Sequence, residues 1–304
     1  MQTAVIVLQQ TLTMGLYMLI GFGLYRFHKI TEEGSRNIAT LLLWMVIPST
    51  IIDSFCVPYS VQKLGQLGIS CLLGLLCLMI ALFIARLLFH KKPIDRFAAS
   101  FSNAGFIGIP LVRASLGMEA VFYLVGMIIL LNLLQWTYGV SILRGQRGKV
   151  SLRQFLFNPV TVSAVIGLNL FLTGAGSQLP GVISGCISGI ADLNAPLAML
   201  VLGVYLAQTN LRDLCTDRKL FLVSGVRLLL IPLVTLLTLH FVPVDPLIRK
   251  TLLIAAAAPA GANTAIYAQV HGADYRHACQ TVTQSTVLSI GTLPFILMIS
   301  EYLF

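Results

Sequence analysis

The chain has 304 residues, of which 57% are hydrophobic and only 10% charged, with a formal charge of +9 and a mean hydropathy of +0.88. A soluble domain carries roughly 25% charged residues, so a water-soluble globule is excluded. Apolar stretches of about twenty residues without period-2 alternation exclude a membrane β-barrel as well and leave an all-α integral membrane protein.

Apolar runs and breaks predict ten spanning helices, near 4–25, 37–57, 66–89, 97–117, 119–143, 159–174, 181–209, 220–242, 248–270 and 277–303. Met1 to Met14 carries no basic n-region, so the first run reads as a retained span rather than a signal peptide. Turn and charge chemistry separates the runs: Thr31-Glu32-Glu33-Gly34, Lys91-Lys92-Pro93, Asn158-Pro159 and Pro243 to Pro246. Loops after odd-numbered helices hold fifteen Lys and Arg, among them Arg147, Lys149 and Arg153, against four in the alternate loops. The positive-inside rule then places both termini outside the cytoplasm. It also accounts for the basic balance without a nucleic-acid partner.

The ten helices divide into two fives, residues 1–150 and 151–304, with weak internal similarity. Ser115-Leu116-Gly117-Met118-Glu119 after helix four matches Val270-His271-Gly272-Ala273-Asp274 after helix nine. Helices two and seven each hold a proline, Pro48 and Pro196, and helices one and six an Ile-Gly pair, Ile20-Gly21 and Ile166-Gly167. A repeat with an odd number of spans runs in the opposite direction, so the plan is a 5+5 inverted repeat. Helices four and nine combine proline, glycine and a single Asn within a span. Gly108 and Pro110, then Pro259 and Gly261, are expected to break them. Freed backbone is tolerated at membrane depth only where protein buries it or water reaches it. Two broken helices in corresponding places mark the expected binding site, with Asn103 and Gly105 beside one break and Asn263 and Thr264 beside the other as substrate contacts.

These residues resemble a known family. Ser100-Phe101-Ser102-Asn103-Ala104-Gly105-Phe106-Ile107-Gly108-Ile109-Pro110 is similar to the helix-four signature of the auxin efflux carrier family, which includes bacterial organic-acid permeases. Leu193 to Gly203, Pro259 to Asn263 and Gln284 to Pro294 resemble its later helices. The resemblance implies a homodimer in the bacterial inner membrane. Helices one, two, six and seven would form its scaffold, and helices three to five and eight to ten an elevator-type transport domain, with substrate where broken helices four and nine cross. Two features depart from the plant carriers: the loop between helices five and six is short, and Gln66 to Phe89 has no acidic residue.

Other polar residues keep two readings. Arg227, inside helix eight, draws anions toward the site or snorkels to the inner surface. Asn132, Gln135, Gln284, Ser285 and Ser289 line the cavity or bond between helices. Asp53 reads as a wet boundary residue, and Asp192 and Asn194 as packing residues or an ion path. Gly181, Gly185 and Gly189 suit close helix packing or a dimer interface, and Trp44 and Trp136 read as packed between helices. The six cysteines and the histidines His240, His271 and His277 show no metal-ligand spacing. No hydrolase or nucleotide motif is present, which points to neither enzyme nor cofactor. The reading is a secondary transporter of small organic anions: malate, malonate or auxin-like acids. The alternatives are a sodium-coupled symporter of the bile-acid type and a non-transporting receptor on the same fold.

Overall fold

The computed structural model describes residues 2–144, 157–209 and 211–304; the loop cations Arg147, Lys149 and Arg153 lie outside them. The chain runs through α1 (Gln2–Arg26), α2 (Glu32–Phe55), α3 (Val61–Phe89), α4 (Pro93–Ser100), α5 (Ala104–Leu116) and α6 (Met118–Arg144). It continues through α7 (Pro159–Leu172), α8 (Gly181–Gln208), α9 (Leu211–Thr216), α10 (Arg218–His240), α11 (Pro246–Ala257), α12 (Asn263–Val270) and α13 (Tyr275–Leu303). Seven of these, α1, α2, α3, α6, α8, α10 and α13, are long and apolar enough to cross a membrane; α5 and α7 are shorter apolar helices. Predicted helix four thus corresponds to α4 and α5, and predicted helix nine to α11 and α12.

Local chemistry sets the starts. Asn158 and Asp245 each precede a proline at the first helical position and accept from the next free backbone N–H, that of Val160 and Leu247, at 2.9 and 2.8 Å. Proline there loses nothing, because first-turn N–H groups have no helical partner. Thr31 accepts from Gly34 N–H at 3.1 Å, so α2 begins at Glu32 rather than at 37.

Four short π-helical turns interrupt the long helices among the described residues: Leu42–Val46, Ala104–Gly108, Gln135–Gly139 and Val226–Leu230. Three of them end two residues before a proline, and each such proline follows an isoleucine: Ile47-Pro48, Ile109-Pro110 and Ile231-Pro232. A helical proline clashes with the carbonyl four residues back and offers it no donor. Widening the preceding turn moves that carbonyl outward. The Ile47, Ile109 and Ile231 N–H groups then reach back five residues, to Leu42, Ala104 and Val226.

Glycine sets the closest packing. Gly21 of α1 and Gly203 of α8 let the two backbones touch: a Cβ on Gly21 would lie 2.8 Å from the Leu200 Cα. Aromatic rings fill the core beside α2 and α7, with Phe55, Phe122 and Phe171 in mutual contact at centroid distances of 5.0–6.5 Å. Two expectations need correction. Gly181, Gly185 and Gly189 pack against none of the described residues of their own chain, with nothing within 4 Å of a Cβ placed on them, so the stripe is no intrachain packing face and only the dimer alternative stays open. Trp44 is 67% exposed, so its indole faces outward from α2 instead of packing between helices. Trp136 is 37% exposed, with its ring edge-on to Tyr267 at 5.4 Å.

Gly203→Ala should destabilise the protein by about 1–3 kcal/mol, the usual cost of overpacking. Gly181→Ala, facing open space, should leave stability unchanged or slightly raised. Unfolding midpoints in detergent check both; equal effects would mean that α1 and α8 do not meet through Gly203.

Candidate functional site

Two helices stop and restart in the middle of the fold. Phe101, Ser102 and Asn103 separate α4 from α5, and Ala258 to Ala262 separate α11 from α12. The breaks meet in one isolated antiparallel bridge between Ser102 and Ala260. Asn103 N–H donates to the Pro259 carbonyl at 2.8 Å, and Gly261 N–H to the Phe101 carbonyl at 2.9 Å. Ser285 of α13 supports the second break from behind, its hydroxyl accepting from Ala260 N–H at 3.2 Å.

Pro259 and Gly261 lie within their break. Gly108 and Pro110 do not: both sit in the continuous first half of α5, after the break. The π turn at Ala104–Gly108 lets the helix run on through Pro110, and the Gly105 carbonyl, five residues before that proline, accepts instead from Asn194 of α8. The interruption comes earlier, where Phe101 turns extended (φ −116°, ψ 113°) and Asn103 leaves helical geometry (φ −83°, ψ 51°).

On one side of the bridge lies a small cavity of about 40 Å³, room for roughly three waters. Its polar lining is amide and hydroxyl: Ser102, Asn103, Asn132, Gln135 and Asn263. No charged side chain among the described residues lines it. Asn263 Nδ2 donates to Gln135 Oε1 at 2.8 Å, joining α12 to the π turn of α6. Asn103 is 5% exposed and Ser102 4%, and neither the Asn103 Nδ2 nor the Ser102 hydroxyl has a hydrogen-bond partner. The helices α5 and α12 begin here, so their partial positive N-terminal ends face the same space. Unspent donors and two helix N-termini suit a carboxylate.

On the other side of the bridge, α4 and α11 end, presenting carbonyls. Arg227, 1% exposed, fills this side. Its Nε donates to the Ala258 carbonyl at 3.1 Å and Nη1 to the Ala99 carbonyl at 3.0 Å; Nη2 donates to Ala256. No carboxylate among the described residues forms an ion pair with it.

The structure thus brings Asn103, Gly105, Asn132, Gln135 and Asn263 to one cavity, together with the break residue Gly261. It does not bring four other expected contacts there. Arg227 neither reaches the cavity nor snorkels, because three backbone carbonyls hold its guanidinium. Gln284 is spent on two buried bonds, accepting from the Ser224 hydroxyl at 2.8 Å and donating to the Leu214 carbonyl at 2.7 Å. Ser285 serves the break backbone, and Thr264 is fully buried one residue past the lining. Sequence reasoning missed Ser102 as a lining hydroxyl, although it stands beside Asn103. It also missed the wall residues Leu43 and Ile47, which the Ile47-Pro48 pair could have marked. Asn194 reaches across from α8, Nδ2 donating to the Gly105 carbonyl at 3.3 Å.

Carboxylates stand apart from the cavity. Asp192 of α8 pairs with Arg113 of α5 at 2.6 Å, and Asp95 of α4 meets His277 of α13 at 2.6 Å. No cluster of three or more His, Cys, Asp or Glu suited to a metal occurs among the described residues.

The family described as membrane transport protein matches residues 6–297. A protein of Methanothermobacter thermautotrophicus named only as a transporter is 26% identical over 293 residues, 91% of this chain and 93% of that one. A protein of Rhizobium meliloti named as a candidate malonate transporter is 24% identical over 240 residues, 76% of this chain and 74% of that one.

Ser285→Ala should strand the Ala260 N–H and lower stability by about 1–3 kcal/mol, the cost of an unsatisfied buried donor. Ser289→Ala should be near neutral, since that hydroxyl bonds only within its own helix, to Thr286 at 2.7 Å. Thermal unfolding of both variants in detergent decides; a neutral Ser285→Ala would remove α13 as the support of the break.

Proposed function

Since the chain belongs to the membrane transport protein family, that of the auxin efflux carriers, we propose that it is a secondary transporter of small organic anions that binds a carboxylate at the joined breaks. The observation that carries this reading is the uncharged, amide-lined cavity between two helix N-termini, with Asn103 Nδ2 and the Ser102 hydroxyl unspent. An anion arriving there meets donors and partial positive charge without a fixed cation to trap it. Weak, neutral donors suit a carrier, which has to release what it binds. The name of the Rhizobium meliloti relative favours a short dicarboxylate such as malonate.

Ten spans as a 5+5 inverted repeat account for two breaks in corresponding places. Alternating access follows as an elevator. A unit of α3 to α6 and α10 to α13 carries the site past a scaffold of α1, α2, α7 and α8, with two copies joined through the scaffold. The bare glycine stripe of α8 is the face offered for that joining. Both termini lie outside the cytoplasm, and the membrane is the bacterial inner membrane. The cavity widens on loading, because a space for roughly three waters does not admit a dicarboxylate. Movement of an anion without a coupling cation is electrogenic, and a negative-inside potential drives it outward with about 2.3 kcal/mol per charge per 100 mV.

Asn103→Ala and Asn263→Ala should each weaken binding of malonate or a related carboxylate by about 1.5–3 kcal/mol, the worth of a hydrogen bond to a charged group, while leaving the protein folded. Ligand-induced thermal stabilisation followed by titration measures it, and near-normal binding in both variants would sink the site. Flux into sodium-free liposomes, with potassium and valinomycin setting the voltage, should follow the potential. A strict sodium requirement without voltage dependence would instead favour a symporter.

A further inference from the structure

We infer that Arg227 is a tethered cation, holding with its guanidinium the carbonyl site where a free coupling ion would otherwise sit. The inference rests on the transport reading above and concerns how that transport is freed from sodium.

Two half-helices end on this side of the bridge. Their last carbonyls have no helical partner, and each end carries about half a negative charge from the helix dipole. Pro259 deepens the deficit, because it has no N–H to return to the turn before it. In transporters built from interrupted helices, half-helix C-termini and unwound carbonyls are where sodium is coordinated. Here Arg227 reaches that position from a third element, the π turn of α10, and touches both ends at once: Ala99 of α4, then Ala256 and Ala258 around the end of α11. A buried charge persists only when paired and hydrogen-bonded. Among the described residues this one has no carboxylate, so carbonyl dipoles are its counter-charge. The anion cavity lies on the opposite side of the same bridge, a few residues away on both chains of the break. A cation behind the bridge and an anion before it is the arrangement a sodium symporter assembles at each turnover. In this chain the cation is covalently fixed and never leaves.

The test uses the full chain in detergent, without any organic acid, as wild type, Arg227→Ala, Arg227→Gln and Arg227→Lys. Unfolding midpoints are compared at constant ionic strength in choline, sodium and low-millimolar methylguanidinium chloride. Wild type should be indifferent to all three. The two neutral variants should melt several degrees lower in choline, recover most of the loss in methylguanidinium and part of it in sodium. In liposomes their carboxylate flux should become sodium-dependent. Arg227→Lys, which keeps the charge, should stay indifferent to sodium. Neutral variants as indifferent as wild type would overturn the proposal. If neither neutral variant accumulates, survival of Arg227→Lys supports a role for charge, and loss of all three overturns it. Because melting is read without substrate, a failed carboxylate screen would fell the transport reading while leaving the rescue result standing. Absent rescue in a protein that still moves carboxylates would fell this inference alone.

Discussion

A helix that stops inside a buried, apolar fold releases backbone donors and acceptors that its surroundings cannot satisfy, each costing several kcal/mol if left alone. This constraint organises the centre of the molecule. The two breaks answer part of each other's need through the Asn103–Pro259 and Gly261–Phe101 bonds. Ser285 takes the Ala260 N–H, and the Arg227 guanidinium takes three of the remaining carbonyls. Acceptors are thus consumed on one side of the bridge. Donors remain on the other, at Asn103 and Ser102. The polarity of the site follows from the direction in which the half-helices run, before any side chain is chosen to recognise a ligand.

The π turns extend the same logic outward. A proline in a long helix would ordinarily cost one bond and a clash, roughly 3 kcal/mol. By widening the turn before each Ile-Pro pair, the chain eases the clash, and the isoleucine N–H reaches back five residues. The wide turn also rotates its residues relative to a regular helix. Leu43, Gly105 and Gln135 come to the cavity from three such turns, and the fourth carries Arg227. π turns frequently mark functional positions; here three of the four trace to a dipeptide visible in the sequence.

Much of the site was legible because its chemistry is local. An Asn beside Gly and Pro inside an apolar run announces released backbone, and Asn103, Asn263 and Gln135 all reach one cavity. Membrane location follows from composition, and helical class from apolar runs of about twenty residues without alternation. What was not legible depends on rotation about helix axes. Gln284 and Ser285 share a helix with outward-facing Val287, and nothing in a single sequence says which neighbour each polar group meets. For Arg227 the sequence offers only water or a ligand as partner, since its actual partners are carbonyls of alanines, residues that carry no polar signal. Gly108 and Pro110 look like breakers, yet a π turn accommodates them. The stripe at Gly181, Gly185 and Gly189 has the spacing of a packing face, but spacing does not tell a helix of the same chain from a surface beyond it.

The bridge between Ser102 and Ala260 also has a mechanical meaning. Two flexible interruptions in separate helices would each act as a hinge, giving four half-helices their own freedom. Sewn together by paired backbone bonds, with one guanidinium clamped across α4 and α11, the interruptions lose that freedom in common. A displacement of either break is transmitted to the other at once. The place where the helices are discontinuous is therefore tied across by backbone bonds, a firmer joint than a contact such as Arg113–Asp192, which rests on two partly exposed side chains.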